Sequence, residues 1–377
     1  MAENSTAGLV AYFGALEDPR VERTKRHKLM DIIIIAICGV ICSADSWVGI
    51  ERFGRAKLTW FKHFLDLDNG IPSHDTFGRV FAALDPERFQ ACFMGWARSL
   101  ARQLQGEVVA LDGKMLCGSQ DTASGKSALY IVSAWAQANH LVLGQLKVEE
   151  KSNEITAIPK LLEALMLEGC IVTTDALGCQ KAIAEKAIAG GGDYVLAVKG
   201  NQKILEQDLH SLFGEAEQVG YRHVAHDYAH TVGKDHGRIE TRRCWTITDP
   251  AYLFYLQDLK WPGLRSIAKL ESSRVIKGEE EKQTRYYISS LPGDARQILR
   301  AVRGHWAIEN ELHWSLDVSF REDQSRIRQG NAAENMSRLR QIALNLLKLE
   351  KTEKVGIQNK RLMAGWDESY LLRVLSG

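Results

Sequence analysis

The sequence predicts an α/β fold: a mixed sheet flanked by helices, with an all-helical domain ahead of it and a β-rich insertion near its end. Three observations carry this. Apolar positions recur at three- and four-residue spacing through residues 28–105, short β-rich runs alternate with helical patterns after Gly106, and β-rich runs return at about 225–290 before helical periodicity resumes.

In the first stretch the helical spacing is clearest at 29–42, 47–56 and 89–104. Pro72-Ser73-His74-Asp75-Thr76 offers capping side chains just ahead of Phe77-Gly78-Arg79-Val80-Phe81, a helix-start signal. Such a helix either enters a nucleic-acid groove or packs in the core, and packing is the expectation. The strand-like runs that follow are 108–111, 129–134 and 141–148, then 171–174 and 194–198, with helical patterns at 154–167 and 180–189. Three strands, then helix, strand, helix and strand, is the order of a ribonuclease-H-like core. The later runs 238–248, 264–275 and 284–290, with a turn at Lys277-Gly278, read as an inserted sheet. Helices return at 294–317 and 332–349. The resulting plan is a helical domain over 1–105, an α/β domain over 106–350 with its insertion at about 220–292, and a tail over 351–377.

Hydrophobic residues make up 45% and charged residues 25% of the 377, the balance of an ordinary globular protein. A net charge of +1 excludes a uniformly basic nucleic-acid-coating protein, so any such affinity has to be local. Two basic runs qualify: Arg20, Arg23, Lys25, Arg26 and Lys28, and then Arg321, Arg326 and Arg328. Each either binds phosphates or is a solvated face. The seven cysteines form no C-x-x-C pair, which argues against a disulfide framework or zinc knuckle and fits a reducing cytoplasm. The start is polar and carries no secretion pattern, and the most apolar segment, 32–42, falls short of the about 20 residues a bilayer needs. A cytoplasmic protein without membrane association is expected.

Three carboxylates stand out by position. Asp112 follows the run 108–111 and Asp175 follows 171–174, so each acid comes directly after a buried strand, where it is costly unless paired or metal-bound. The third, Glu309, shares four-residue spacing with His305 and His313 and stands beside an apolar stripe of Ile308 and Leu312. Taken singly, a strand-end aspartate also caps turns and a helical glutamate is also a solvated charge. Together, three carboxylates suit Mg²⁺ or Mn²⁺. Two such ions about 4 Å apart clamp a phosphodiester. The His305, Glu309 and His313 spacing is not the His-Glu-x-x-His of a metalloprotease, and no phosphate-binding G-x-x-x-x-G-K-[ST] loop occurs.

These residues resemble the DDE transposases, and the surrounding sequence is similar nearly end to end to the ISAs1 family, which includes the H-repeat-associated proteins. The blocks that carry the resemblance begin with His27-Lys28-Leu29, the Pro72-Ser73-His74-Asp75-Thr76-Phe77-Gly78-Arg79-Val80 stretch and Leu111-Asp112-Gly113-Lys114. They continue with Glu150-Lys151-Ser152-Asn153-Glu154-Ile155, Thr173-Thr174-Asp175-Ala176-Leu177-Gly178-Cys179-Gln180 and Ala197-Val198-Lys199-Gly200-Asn201-Gln202. His236-Gly237-Arg238, Arg285-Tyr286-Tyr287-Ile288-Ser289-Ser290, His305-Trp306 and Leu316-Asp317-Val318 complete them.

The resemblance implies an enzyme that cuts the ends of an insertion sequence and joins 3′-hydroxyls to target DNA, with Asp112, Asp175 and Glu309 as the metal-binding triad. It also implies DNA contacts by Lys199, Asn201, His236 and Arg238. His305, Trp306, Arg326 and Arg328 are further candidates for DNA contact. Because two DNA ends must be held together, a homodimer in the DNA complex, associated with the nucleoid, is expected. The wider IS4-like group carries a Tyr-x2-Arg-x3-Glu-x6-Lys pattern around its glutamate; here those three flanking positions hold Val302, His305 and Leu316. The rival reading is an inactive or repurposed DNA-binding protein or nuclease.

Overall fold

The computed structural model describes residues 2–101, 104–121, 125, 127–149, 153–235, 238–276 and 279–377. The polar residues at the start conceal a helix, α1 (Ala2–Phe13), whose Leu9 and Phe13 are buried. α2 (Leu29–Ile41) is apolar on every side, so it has no face to give to water, and all its residues but Met30 are buried. α3 (Trp47–Ala56), α4 (Leu58–Phe61), α5 (His74–Ala83) and α6 (Pro86–Leu100) follow. Ser73 caps α5 by accepting from the Thr76 N–H at 3.3 Å, the helix start expected from the sequence. Phe77, Val80 and Phe81 of α5 are buried, so its apolar face is a packing face.

Among the described residues nine strands then form one sheet: β1 (Val108–Leu116), β2 (Leu129–Ala136), β3 (Leu141–Lys147), β4 (Ile171–Thr174), β5 (Asp193–Val198), β6 (His226–Asp235), β7 (Arg238–Ile247), β8 (Ser266–Ile276) and β9 (Glu279–Ser289). Their order is β3-β2-β1-β4-β5-β9-β8-β7-β6. β1 to β3 are antiparallel, while β4 and β5 run parallel to β1, which is the ribonuclease-H-like arrangement. The insertion, expected as an inserted sheet, is continuous with this core: β9 pairs with β5 from Val195↔Ser289 to Val198↔Tyr286. β6 was not foreseen. It is an edge strand of mostly polar residues and so lacks the alternation that betrays a half-buried strand. The turn at Lys277-Gly278 lies outside the described residues.

α7 (Glu154–Ala164), α8 (Lys181–Ala189) and α9 (Lys203–Gln218) pack on one face with Val109, Leu111 and Val172. After the short α10 (Pro250–Phe254), α11 (Ala295–Ala307) packs on the other face with Val108 and Ile171. It passes into a π-helical segment, Ile308–His313, and α12 (Trp314–Val318). α13 (Ala332–Leu349) joins α2 and the other early helices in one cluster that also takes in Ala110, Trp135 and Val142 of the sheet.

The stretch expected as a tail contains two packed helices, α14 (Ile357–Trp366) and α15 (Glu368–Ser376). Tyr370, Leu371, Val374 and Leu375 are buried, and the Arg361 guanidinium donates to the Val40 carbonyl at 2.8 Å and to Asp45 at 2.6 Å. The cause is periodicity: those four apolar positions fall on one helical face. All seven cysteines are free. Among the described residues no helix is long and apolar enough to cross a membrane.

Candidate active site

The site starts from strand register. β1 and β4 pair in parallel from Val108↔Ile171 to Leu111↔Thr174, so Asp112 and Asp175 come next on adjacent strands. They are not equivalent, however. β4 ends at Thr174, whereas Asp112 lies inside β1, which continues to Leu116 paired with β2 through Asp112↔Ser133. The sequence reading of Asp112 as a strand-end residue is corrected in this respect, because β1 departs from β4 at that point without losing β2. Asp112 Oδ1 accepts from the Gly113 N–H at 3.0 Å, and Asp175 Oδ1 from the Gly178 N–H at 3.1 Å. Asp175 therefore both caps a turn and stands at the site.

Glu309 sits in the π-helical segment rather than in a regular α-helix, a widened turn of the kind that recurs at functional sites. It is exposed, and among the described residues no hydrogen bond or ion pair is formed by its side chain. The two histidines of the motif flank the aspartates: His305 Nδ1 is 3.3 Å from Thr173 Oγ1, and His313 Nδ1 is 3.5 Å from Asp112 Oδ2. Burial lowers both imidazole pKa values to about 4, so both rings are neutral at pH 7.

Asp112 is the most perturbed of the acids. Burial first, and then the charges of Glu154, Asp175 and Glu309, push its pKa up to about 7. Glu154 is the residue that sequence reasoning missed. It lies at the first turn of α7, is buried, accepts a hydrogen bond from the Tyr130 hydroxyl, and has its own pKa raised by burial. It stood within one of the motif blocks, but an acid in a first helical turn is ordinarily explained by the helix dipole. Gly113 makes room for it, since a Cβ there would overlap the Glu154 carboxyl and the Tyr130 ring.

Lys114 was likewise not singled out. Its ammonium bonds Asp317, Glu322 at 3.1 Å and Asp323 at 3.3 Å, tying β1 to the chain just beyond the Glu309 segment. Among the described residues no three His, Cys, Asp or Glu side chains stand in a ready metal-holding group.

A cavity of about 190 Å³ collects several of the predicted residues: Asp175, Lys199, His305, Trp306 and Glu309 all line it, with Arg285. The Arg285 guanidinium lies 4.7 Å from the centre of the Trp306 ring. Asn201 stands nearby and ties two loops together, its amide donating to the Ala176 carbonyl at 2.6 Å. Three predicted residues are elsewhere. Arg326 and Arg328 line a different cavity with Trp47, His74 and Arg79, and Arg328 donates to the Gly118 carbonyl at 3.1 Å. Arg238 opens β7 opposite Asp235, at the end of the strand remote from Ile247. His236 lies outside the described residues.

The strand order, together with acids in β1, just after β4 and in the π-helical segment beyond α11, defines a protein of the ribonuclease-H-like class. Residues 103–346 match the family described as Transposase DDE domain, and residues 10–97 match the one described as DDE_Tnp_1-associated. This chain belongs to the DDE transposase family. It is 41% identical over 373 residues to the "H repeat-associated putative transposase YhhI" of Escherichia coli (strain K12), covering 98% of each chain. It is also 41% identical over 376 residues to the "Putative transposase YncI" of Escherichia coli O157:H7, covering 99% of this chain and 95% of the other. A cryo-EM structure of the piggyBac transposase synaptic complex with hairpin DNA is a distant likeness, with 11% identity and a TM-score of 0.38 over 99% of this chain and 78% of that one.

Proposed function

We propose that this chain is the DNA transposase of an insertion sequence of the ISAs1 group, cutting the element's ends and joining 3′-hydroxyls to target DNA. The observation that carries the reading is the parallel register that makes Asp112 and Asp175 neighbours, with Glu309 and Asp175 lining one cavity, in a chain of this family.

Asp112, Asp175 and Glu309 are the residues that would hold Mg²⁺ or Mn²⁺. Their chemistry fits hard cations, since burial first, and then the charges of Glu154, Asp175 and Glu309, hold Asp112 partly protonated near neutral pH, a cost that a dication relieves. Two such ions, when bound, supply activation of a water or 3′-hydroxyl and stabilisation of the leaving oxygen. The remaining work belongs to the protein. Backbone N–H groups of Gly113 and Gly178 each fix one oxygen of an aspartate, which sets the direction of the other. Neutral His305 and His313 pack beside the acids without adding a positive charge that would compete with a cation. Lys199 and Arg285, which line the cavity, would take phosphate oxygens.

The partner is DNA, as terminal repeats and target, handled in the nucleoid by a homodimer that holds two ends together. Sedimentation of the DNA complex checks the dimer, and one protomer per pair of ends would sink it. The reaction is tested with DNA carrying the element ends and Mg²⁺ or Mn²⁺, comparing wild type with Asp112→Ala, Asp175→Ala and Glu309→Ala. Metal-dependent cleavage and strand transfer, lost in all three variants with DNA binding kept, is the expected result. Cleavage without joining identifies a nuclease, and binding without cleavage a silent relative.

A further inference from the structure

The sheet face that receives α11 runs on beyond the helix. Across β7, β8 and β9 the register aligns Cys244, Leu270 and Arg285, then Arg242, Ser272 and Gln283, then Glu240, Arg274 and Glu281. Because side chains alternate along a strand, these three rows share one face. Its first row is partly apolar, with Cys244 and Leu270 buried in the cluster that includes Leu299 and Val302 of α11. The later rows are polar and carry arginines. From the other side α11 contributes Arg296, Arg300 and Arg303, whose four- and three-residue spacing puts them in one stripe.

Between strand face and helix stripe lies a cleft of about 800 Å³, lined by all six arginines but by only two acids, Glu240 and Glu311. Both acids are already engaged. Glu240 pairs with Arg242 at 2.6 Å and Arg274 at 3.1 Å, and Glu311 pairs with His140 at 2.6 Å and Lys348 at 3.2 Å. Arg296, Arg300 and Arg303 are exposed and form no ion pair among the described residues. Arg303 and Arg274 both act electrostatically against Arg242. Among the described residues the Arg296, Arg300 and Arg303 guanidinium groups thus converge on the cleft with no carboxylate paired to them, a repulsive arrangement that an extended anion would relieve. Arginine's planar fork also matches phosphate in a way that lysine's point charge does not.

The cleft is not isolated. Arg285, Val302 and Trp306 line both it and the small cavity of Asp175 and Glu309. From Arg296 to Arg303 the helix rises about 10 Å. That length matches roughly three phosphates at 3.4 Å of axial rise per strand.

We infer that this arginine cleft binds the phosphodiester backbone of the DNA strand leading away from the reacting phosphate. The inference rests on DNA being the substrate, as proposed above, and adds where that DNA runs. Trp306, stacked on Arg285 at the junction of the two cavities, offers a flat surface to a base at the turn into the site.

The test is a salt titration of binding to a duplex carrying an element end, read by fluorescence anisotropy. It compares wild type, the triple variant Arg296→Gln, Arg300→Gln, Arg303→Gln, and a control with Lys160→Gln and Lys186→Gln on α7 and α8, across the sheet. The slope of log K against log salt is expected to fall by about 3 in the triple variant and to stay at the wild-type value in the control. If the triple variant melts early, Arg300→Gln alone decides, with a fall of about 1. A wild-type slope in the arginine variants overturns the cleft and leaves the transposase reading standing. Absence of salt-dependent DNA binding by the wild type overturns both.

Discussion

The Glu154 carboxylate accepts a hydrogen bond from the Tyr130 hydroxyl and lies over Gly113, the residue after Asp112. Glu154 thus joins the three candidate acids, and its charge adds to burial in raising the Asp112 pKa. Removing that charge with Glu154→Gln is predicted to lower the Asp112 midpoint from about 7 toward the ordinary carboxylate range. Carboxyl-carbon NMR titration of the metal-free protein reads it directly, and an unmoved midpoint would refute the coupling.

The raised Asp112 pKa is also a statement about stability. Its folded-state value of about 7 lies above the ordinary aspartate value of 3.8, so the group's contribution is full below about 3.8 and is lost as pH rises through 7. Asp112→Asn is then expected to be more stable than metal-free wild type at pH 8, by on the order of 2 kcal/mol after discounting for solvent screening, and equal to it near pH 4. Mg²⁺ is expected to raise the wild-type Tm at pH 8 and to raise that of the variant less. Thermal melts at the two pH values check both; a wild type more stable than the variant at pH 8 without metal contradicts the assignment.

Gly113→Ala tests how closely Glu154 approaches β1. The added methyl has to displace the Glu154 carboxyl and the Tyr130 ring, an overpacking expected to cost about 1–3 kcal/mol. Combining it with Glu154→Ala is predicted to recover part of the loss in urea unfolding. Strict additivity of the two substitutions would show that they do not meet.

Lys114→Ala leaves Asp317, Glu322 and Asp323 without their shared cation, and the Glu322 side chain is only 1% exposed. Ser337 at 3.0 Å and Arg340 at 3.6 Å still serve Glu322, so the expected loss is about 3 kcal/mol, the low end for breaking a buried pair. Because Lys114 joins β1 to the chain after Glu309, cleavage is predicted to fall further than DNA binding does. Equal losses in both would reduce Lys114 to a general stabiliser.

Ending the chain after Glu350 removes α14 and α15. Tyr370, Leu371, Val374 and Leu375 are each worth about 1.5–3 kcal/mol of burial, together comparable with the whole stability of a typical protein. The truncated chain is expected to lose its near-UV circular dichroism and to bind ANS. A native-like spectrum would return this segment to the status of a tail.

Periodicity exposed the early helices, the five core strands and α13, because a face that must be buried leaves its mark on residue spacing. It failed where burial is not written as apolar alternation. β6 is a polar edge strand, and α1 begins with polar residues that give no warning of Leu9 and Phe13. α13 shows how far the mismatch can go: Asn335, Ser337, Arg338, Arg340, Gln341 and Asn345 are all buried on a helix that reads as half polar. Several find partners across the fold, as when Asn345 bonds both the N–H and the carbonyl of Val142 at 2.8 and 2.9 Å, whereas Arg340 Nε and Nη2 and Gln341 Oε1 have no hydrogen-bond partner among the described residues.

The sequence by itself singled out Asp112 and Asp175, since an acid directly after a buried run is costly enough to be conspicuous, and Glu309 by its spacing with His305 and His313, and it determined the order of strands and helices that carries them. Only the tertiary structure decided that Glu154 joins them, that Lys114 ties β1 to the chain beyond Glu309, that the insertion extends the same sheet, and that arginines from β7, β8, β9 and α11 meet in one cleft. The physical reason is range. Burial of apolar surface is local and periodic and so is legible along the chain, whereas charges and hydrogen bonds act between residues that only strand register and helix packing bring together.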